Sequence, residues 1–482
     1  MPCTRPLVLV AHALNYRQSG YDPVAWIWTN LLIHGLCSVT VFFILSQFLL
    51  PPSVALFGAL IFALHPLQSE VVNYVSARSE SLAALCYLTS LYCYLRTRHP
   101  GPRPALWKTI SLFLFSAGLM AKATVATLPA CLVIYEAYVW NRARLQQLSI
   151  GQIARSQLPY WAICISYLIL YQLLSGTQLG EERNPLLQMA TQTKGLVHYI
   201  ATIVMPTNLS VHQQFTESSS PFELAPLLAT AAIASLLILL LSLKSRVPAL
   251  LFGFCWFGLV LLPTSVIPLR ILVNDHRPYL ALFGPLAAVA LILPLRIDLR
   301  WALACVTVPF ALLSFQRDAI WADEISLWSD AARRGPLMAE AHYNLGFAHH
   351  RRGNLGEAMA AYERAVDLSP GYVRAQTNLG AIYRDQGRFT VAAEALEKAL
   401  ESDPRSVATL NNLGLTYSSM GRNEAAIEMY ERALRIDAGV AEIWLNLGLS
   451  QRDVGLREEA LQSLSRALLL DPTLKGGSVG RQ

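Results

Sequence analysis

The tripeptide Asn-Leu-Gly occurs at residues 344–346, 378–380, 412–414 and 446–448, and each occurrence follows the last by 34 residues. A second glycine, two alanines and a proline at the end of the repeat recur with the same 34-residue spacing. They are Gly353, Gly387, Gly421 and Gly455; Ala358, Ala392, Ala426 and Ala460; Ala365, Ala399, Ala433 and Ala467; and Pro370, Pro404 and Pro472, with Ala438 in the remaining place. Small residues allow two helices to pack closely, glycine suits the turn between them, and proline ends the second helix. The pattern therefore predicts a tandem array of helix–turn–helix units.

A 34-residue period of paired helices is typical of tetratricopeptide repeats. We expect four repeats over 339–474, a connecting helix over 318–338 and a short tail over 475–482. Such arrays bind partners on a concave face, so we expect protein or peptide partners. The 34-residue step stacks four asparagines into a ladder along that face: Asn344, Asn378, Asn412 and Asn446. An amide donates and accepts at once, so the ladder is a candidate for binding an extended acceptor. The alternative is that these side chains only tie adjacent helices together.

The rest of the chain has the composition of a membrane protein. The sequence is 54% hydrophobic and 15% charged, whereas soluble proteins have about 25% charged residues. Residues 1–336 hold 22 Lys and Arg against 14 Asp and Glu, while residues 337–474 hold 14 against 18. We predict a membrane domain over 1–317, with about ten spans at 24–48, 54–66, 80–95, 107–121, 124–140, 158–175, 223–243, 249–267, 279–295 and 300–317. The shorter apolar stretch 195–206 is expected to be interfacial or re-entrant.

The placement of basic residues predicts the orientation. The loops 49–53, 96–106, 141–157, 244–248 and 296–299 with their flanks are rich in Lys and Arg, which places them in the cytoplasm. The repeats then lie in the periplasm of a bacterium or in the lumen of the endoplasmic reticulum. No basic stripe interleaved with aromatic residues is present, so nucleic acid is not an expected partner.

Ionisable residues near the non-cytoplasmic ends of the spans predict a polar site. Such residues are costly at membrane depth and tend to mark functional sites. Arg78, Lys122, His276 and Arg277 could surround a phosphate, and Glu70 or Asp275 could deprotonate an acceptor hydroxyl as a general base. The alternative is an exposed polar loop, with Lys122 extending to the interface and the Asn30–His34 pair joining two helices.

The cysteines indicate no metal centre. All eight precede residue 306 and none forms a Cys-x-x-Cys motif, so neither a metal knuckle nor a disulfide framework is predicted. We expect no permanently bound cofactor, and the need for a divalent metal stays open.

Three stretches outside the repeats carry a family resemblance. They are Arg5-Pro6-Leu7-Val8 with Asn15-Tyr16, Gly20, Pro23, Asn30-Leu31-Leu32 and His34; Phe62-Ala63-Leu64-His65-Pro66 with Glu70, Val75 and Arg78; and Leu262-Pro263-Thr264-Ser265 with His276-Arg277-Pro278-Tyr279-Leu280. With the terminal repeats, they resemble the transmembrane and tetratricopeptide-repeat-containing protein O-mannosyltransferases and their bacterial relatives. The resemblance implies a multi-span glycosyltransferase of the GT-C type. Its donor would be polyprenyl- or dolichyl-phosphate mannose, and its acceptors would be Ser and Thr of extracytoplasmic proteins.

Two features depart from that family. Its members usually begin with one more span and an acidic pair in the first external loop, the expected catalytic base, whereas this chain starts inside that loop and keeps only Asp22 there. The lysine near position 122 is usually followed by an acid, and here Ala123 follows. Two hypotheses therefore stand: a membrane glycosyltransferase that moves mannose to Ser or Thr, or a non-catalytic membrane-anchored scaffold that recruits proteins through its repeats.

Overall fold

The computed structural model describes residues 5–48, 50–99, 102–140, 149–175, 184–267, 271–292 and 299–475. The predicted tail, apart from its first residue, and residues 141–148 of the predicted loop 141–157 lie outside these ranges. The chain divides into a membrane unit, Met1–Ala322, and a repeat unit, Asp323–Gln482. The regular elements of the described residues are all helical, which confirms the predicted all-α class of a multi-span bundle followed by a repeat superhelix.

The membrane unit contains helices α1 (Pro6–Ser19), α2 (Pro23–Gln47), α3 (Pro52–Leu64), α4 (Ser69–Asn73), α5 (Arg78–Arg98), α6 (Pro104–Leu119), α7 (Leu128–Trp140), α8 (Ile150–Ser175), α9 (Pro185–Val204), α10 (Leu224–Leu243), α11 (Pro248–Val266), α12 (Phe283–Ile292) and α13 (Leu299–Trp321).

Each predicted span coincides with one of these helices. Among the described residues, α2, α8, α10 and α11 are long and apolar enough to cross a membrane, and α3 with the segment Pro66–Asn73 forms a fifth candidate, bent by 48°. The apolar helices α6 and α12, and the apolar segment Ala123–Val139 that includes α7, are shorter. The total of about ten spans stays a prediction.

Prolines and polar caps set where several spans begin. Pro23, Pro52 and Pro248 occupy the first turns of α2, α3 and α11, where proline's missing N–H costs nothing.

Helix α11 packs closely on α12 at Gly253. The backbones are so near that a Cβ at this position would lie 2.7 Å from the carbonyl oxygen of Gly284. This contact holds together α11 and α12, the helices that precede and follow Asn274–Tyr279 in the chain.

Helix α9 contains the stretch 195–206 that was predicted to be interfacial or re-entrant, and it begins earlier, at Pro185. It is not among the span candidates of the described residues. Its polar face bonds to backbone carbonyls at the end of α11 and in the segment that follows it: Gln188 donates to Ser265 at 3.2 Å and Gln192 to Leu272 at 3.2 Å. Helix α9 therefore supports the segment that carries the candidate site.

The repeat unit contains α14 (Glu324–Arg334), α15 (Ala339–Arg351), α16 (Leu355–Leu368), α17 (Val373–Asp385), α18 (Phe389–Ser402), α19 (Val407–Ser419), α20 (Asn423–Ile436), α21 (Ala441–Asp453) and α22 (Arg457–Leu470).

Glycines of the repeated motif act as the sequence predicts. At Gly380 an added Cβ would lie 2.5 Å from Leu396, and at Gly414 it would lie 2.5 Å from Tyr430, so only glycine lets the paired helices approach this closely. Gly387 and Gly421 adopt φ of +75°, a left-handed conformation that glycine takes without strain. The turn between the helices of a pair thus depends on these positions.

Candidate active site

A break in the bent pair of helices positions the first acid. Between α3 and α4 the imidazole of His65 is buried, and its two nitrogens contact the carbonyl of Ile203 at 2.9 Å and the backbone N–H of Leu67 at 3.2 Å. The ring thus supplies a partner for the Leu67 N–H at the bend and joins the bend to the last turn of α9. Helix α4 therefore begins at an angle to α3, with Glu70 in its first turn.

Glu70 and His276 form the centre of the site. The carboxylate oxygen Oε1 of Glu70 lies 2.8 Å from Nδ1 of His276, although the two residues are 206 positions apart. Glu70 is 3% exposed, and its other oxygen, Oε2, has no hydrogen-bond partner among the described residues. An unpaired buried oxygen of this kind costs about 1–3 kcal/mol, so Oε2 has the capacity to accept a hydrogen bond from a ligand.

His276 is neutral at physiological pH. Burial lowers the pKa of its imidazole to about 3, and the positive charges of Lys122 and Arg277 act in the same direction. A neutral imidazole donates from one nitrogen only, so an ionised Glu70 selects the tautomer with hydrogen on Nδ1. The backbone N–H of His276 also donates to the side chain of Asn274 at 3.0 Å, which fixes the turn that presents the ring.

A second acid–base pair lies beside the first. Lys122 forms an ion pair with Glu80, and Oε1 of Glu80 lies 3.8 Å from Nε2 of His276. Burial, assisted by the charges of Arg5 and Arg277, lowers the pKa of Lys122 to about 7, while the contact with Glu80 favours the ammonium form. His276 thus links the two carboxylates, Glu70 and Glu80.

Arg277 contributes a positive charge that acts on the carboxyl group of Glu70, but it forms no ion pair among the described contacts. Its guanidinium donates to the carbonyl of Leu272 at 2.7 Å and to the carbonyl of Ile271. Both partners are neutral, and the side chain is only partly buried. Arg277 and Lys122 therefore give the cluster the capacity to bind an anion such as a phosphate.

The structure places Arg78 differently from the other predicted phosphate ligands. Its fully buried guanidinium donates to the side chains of Asn30 and Asn15, both at 2.7 Å, and to the carbonyl of Trp26 at 3.0 Å. It also lies 4.9 Å from the centre of the Trp26 ring. These contacts join α5 to α1 and α2, and they leave Arg78 outside the group formed by Lys122, His276 and Arg277.

His34, which the sequence pairs with Asn30, bonds to Tyr279 at 2.8 Å and to the carbonyl of Ala63 at 3.0 Å. Asn30 donates to the carbonyl of Val72 at 3.0 Å. Both side chains thus join helices, as in the alternative interpretation.

Asp275, a candidate base, is engaged with the segment 205–223. Its buried carboxylate accepts a hydrogen bond from the backbone N–H of Ser210 at 2.8 Å and two contacts from Gln213, at 2.9 and 3.1 Å. His198 lies 3.9 Å away. With these partners Asp275 orders the loop between α9 and α10, and it has less free acceptor capacity than Glu70.

Asp22, the third candidate base, is exposed at the start of α2. Its carboxylate accepts a hydrogen bond from the backbone N–H of Val24 at 3.0 Å, which is the contact of a helix N-cap. Among the described contacts, none joins it to Glu70 or His276. Asp22 therefore caps the N-terminus of α2.

The asparagines of the ladder lie on the first helix of each repeat, and their contacts differ. Asn378 donates to the hydroxyl of the buried Tyr362 at 3.0 Å, and Asn446 donates to Asn411 at 3.1 Å. Asn412 accepts from Arg384 at 3.1 Å. For Asn344 the described contacts include no side-chain hydrogen bond. The ladder therefore combines bonds between helices with an amide that is open to a ligand.

Two participants were not among the predicted site residues. Glu80 received no role from the sequence, because its pairing with Lys122 depends on how α5 and α6 pack. Arg5, whose guanidinium lies 3.4 Å from Ser79, had no sequence signal beyond the family motif. Among the described residues, no group of three or more His, Cys, Asp and Glu side chains is arranged to hold a metal ion.

Family models match the repeat unit. Tetratricopeptide-repeat families match residues 337–405, 373–438 and 411–474. The solved structure of MamA has a TM-score of 0.30 and 25% identity, and the match covers 34% of this chain and 95% of that one.

Curated relatives extend the similarity beyond the repeats. The chain is 27% identical to human Protein O-mannosyl-transferase TMTC3 over 157 residues, covering 32% of this chain and 17% of the relative. It is 30% identical to human Protein O-mannosyl-transferase TMTC2 over 149 residues, covering 30% of this chain and 18% of the relative. The match to Protein O-mannosyl-transferase Tmtc3 of Drosophila melanogaster is 24% identical over 445 residues and covers 75% of this chain and 48% of the relative.

The repeat unit is only about a third of the chain, so the Drosophila match must include a large part of the membrane unit. The chain spans less than half the length of each of these relatives. The matches confirm that this chain resembles the family of transmembrane, tetratricopeptide-repeat-containing protein O-mannosyltransferases.

Proposed function

We propose that the membrane unit transfers a sugar from a lipid-linked phosphate to a hydroxyl group of a protein. The observation that carries the proposal is the buried Glu70 carboxylate, held 2.8 Å from His276 and beside Lys122 and Arg277, with one oxygen unpaired. The names of the relatives, which are protein O-mannosyl-transferases, support mannose as the sugar. The donor would be a polyprenyl- or dolichyl-phosphate mannose.

The reaction needs one base and a site for a phosphate. Glu70 Oε2 takes the proton of a Ser or Thr hydroxyl, and the hydroxyl oxygen attacks the anomeric carbon of the sugar. The bond between that carbon and the phosphate oxygen breaks, and the lipid phosphate leaves with the electron pair. Lys122 and Arg277 are the groups that stabilise the extra negative charge on the leaving phosphate.

His276 holds Glu70 in this arrangement. As a neutral donor on Nδ1, it favours the ionised carboxylate and fixes the direction of its free oxygen. The ion pair with Glu80 favours the ammonium form of Lys122 beside the phosphate position. The repeats bind the acceptor protein, and the basic bias of the alternate loops supports a location of the repeats in the periplasm or the lumen.

A comparison of three acids tests this assignment. Full-length protein in lipid vesicles is incubated with labelled polyprenyl-phosphate mannose and an acceptor peptide. Glu70→Gln should lower the transfer rate by about 10²–10⁴-fold, the usual contribution of a general base. Asp22→Asn is the matched control and should transfer near the wild-type rate, since Asp22 is an exposed cap. Asp275→Asn should lower transfer while also loosening the loop 205–223.

Full activity of a folded Glu70→Gln protein would contradict the proposed base. A second function, a scaffold that recruits proteins through the repeats, rests on the ladder and its open amide at Asn344. If the wild-type protein binds acceptor peptides but transfers no label from any polyprenyl-phosphate sugar, the scaffold is the better account.

The orientation has its own test. A reporter that is active only in the cytoplasm, fused after Gln482, should be silent. A strong signal would place the repeats in the cytoplasm and overturn the predicted topology.

A further inference from the structure

A cavity of about 570 Å³ lies where α7, α10 and α11 meet. Ile134 and Ala137 of α7 form one wall, and Leu251 and Phe252 of α11 form the other. Lys244 and Ser245, which follow α10, stand at the mouth. The volume is within the usual range of about 300–1,000 Å³ for ligand sites.

The course of the chain places this cavity at the opposite end of the bundle from Glu70 and His276. Helix α7 begins six residues after Lys122, and the cavity contacts its C-terminal half. Helix α11 ends ten residues before His276, and the cavity contacts its first turns. From Cys255, the last α11 residue that lines the cavity, the helix continues for about 16 Å to its end at Val266. The cavity is therefore distinct from the proposed site of transfer.

The inner wall is formed by side chains that are themselves held by the core. The rings of Phe252 and Tyr138 are 5.1 Å apart, and Phe48 packs on Phe252 at 6.1 Å. Phe252 and Tyr138 are buried, whereas Ala137 and Ile134 retain exposure. The cavity thus has a fixed apolar back, and the side chains of α7 at its edge remain accessible.

The charges at this end of the unit are positive. Lys244 and Arg246 are exposed in the short turn between α10 and α11. The nearby acid on α7, Glu136, already accepts two bonds from Arg98, at 2.8 and 2.9 Å. Among the described residues that line the cavity, none is acidic. Lys244 is therefore free to attract an anion at the mouth.

We infer that this cavity binds one anionic phospholipid, with an acyl chain along Ile134, Ala137 and Leu251 and the headgroup phosphate at Lys244 and Ser245. An apolar cleft closed by a single cation and a hydroxyl matches the two parts of such a lipid, and basic pockets between membrane helices recognise anionic headgroups. A zwitterionic lipid offers the same chains without the net charge. The inference is independent of the proposed transferase activity.

Native mass spectrometry of the full-length protein tests the inference. Detergent-purified protein is incubated with phosphatidylglycerol or with phosphatidylcholine of the same acyl chains, and the retained lipid is counted. The wild-type protein should retain phosphatidylglycerol preferentially. Lys244→Gln should reduce that retention about fivefold, the effect of one basic residue at a membrane surface.

Two further variants separate the headgroup contact from the cavity. Arg246→Gln removes the same charge from the same exposed turn but from a residue that does not line the cavity, so it should retain the lipid like wild type. Ala137→Leu fills part of the space and should also reduce retention. Millimolar inorganic phosphate should not displace the lipid.

Four results would overturn the inference. They are equal retention of the two lipids, equal losses in Lys244→Gln and Arg246→Gln, unchanged retention in Ala137→Leu, and displacement by inorganic phosphate. The last would indicate an ion site without a chain in the cavity. Lys244 is exposed, so its substitution is expected to leave the fold intact.

Discussion

The ladder of asparagines should divide into structural and free members. The Asn378 amide donates to the hydroxyl of Tyr362, which is 0% exposed. In Asn378→Ala that buried hydroxyl loses its donor, at a cost of about 1–3 kcal/mol. Hydrogen exchange of α16 and α17 in the full-length protein should therefore become about 5- to 150-fold faster, because each 1.4 kcal/mol corresponds to a factor of ten in local opening.

Asn344→Ala is the matched control, since the described contacts give its side chain no hydrogen bond. Exchange in α15 should change by no more than about twofold, as expected for a substitution without a structural partner. If the ladder binds acceptors, this variant should still capture peptides less well. Equal acceleration in both variants, or none in Asn378→Ala, would refute this division of the ladder.

Three other results are expected. Gly414→Ala places a Cβ 2.5 Å from the ring of Tyr430, so repacking should cost about 1–3 kcal/mol and thermal melting should show a less stable repeat unit. The pKa of Lys122 is lowered to about 7, so its ammonium form is lost as pH rises through that value. Binding of a polyprenyl-phosphate sugar should therefore weaken between pH 6 and pH 9. The Lys122→Arg variant should bind the sugar without this pH dependence. Asp275→Asn removes the ionic acceptor for the Ser210 N–H, so hydrogen exchange of that segment should quicken, and unchanged protection would show that the carboxylate does not order the loop.

The repeat unit follows from its sequence because its contacts are local. Each helix packs on its neighbours along the chain, so a period of 34 residues specifies both partners of every contact. Gly380 illustrates this: its required partner, Leu396, lies sixteen residues away in the same repeat. The predicted first helices and the turn glycines accordingly match the structure.

The membrane unit was predictable in its elements but not in their pairings. Apolar length gives the helices, yet it carries no information on which polar ends meet. The Glu70–His276 contact joins positions 206 residues apart. The predicted topology placed both residues at the same ends of the spans, but it did not predict that they touch. Helix α1 was not predicted, because its sequence is half polar and its contact with α5 runs through Asn15 and Arg78.

Arg78 and Arg277 show why residue type alone could not assign the phosphate ligands. Both are arginines at the ends of apolar segments, and both bond only to neutral groups among the described contacts. Arg78 is 0% exposed and its bonds reach three separate groups on α1 and α2, so its charge is used to fasten helices. Arg277 bonds to carbonyls five and six residues earlier in its own segment and keeps a partly exposed face. A phosphate can approach Arg277 without breaking the contact between any two helices. Substitution of Arg277 should therefore weaken donor binding in a folded protein, whereas substitution of Arg78 should first loosen α1 and α2.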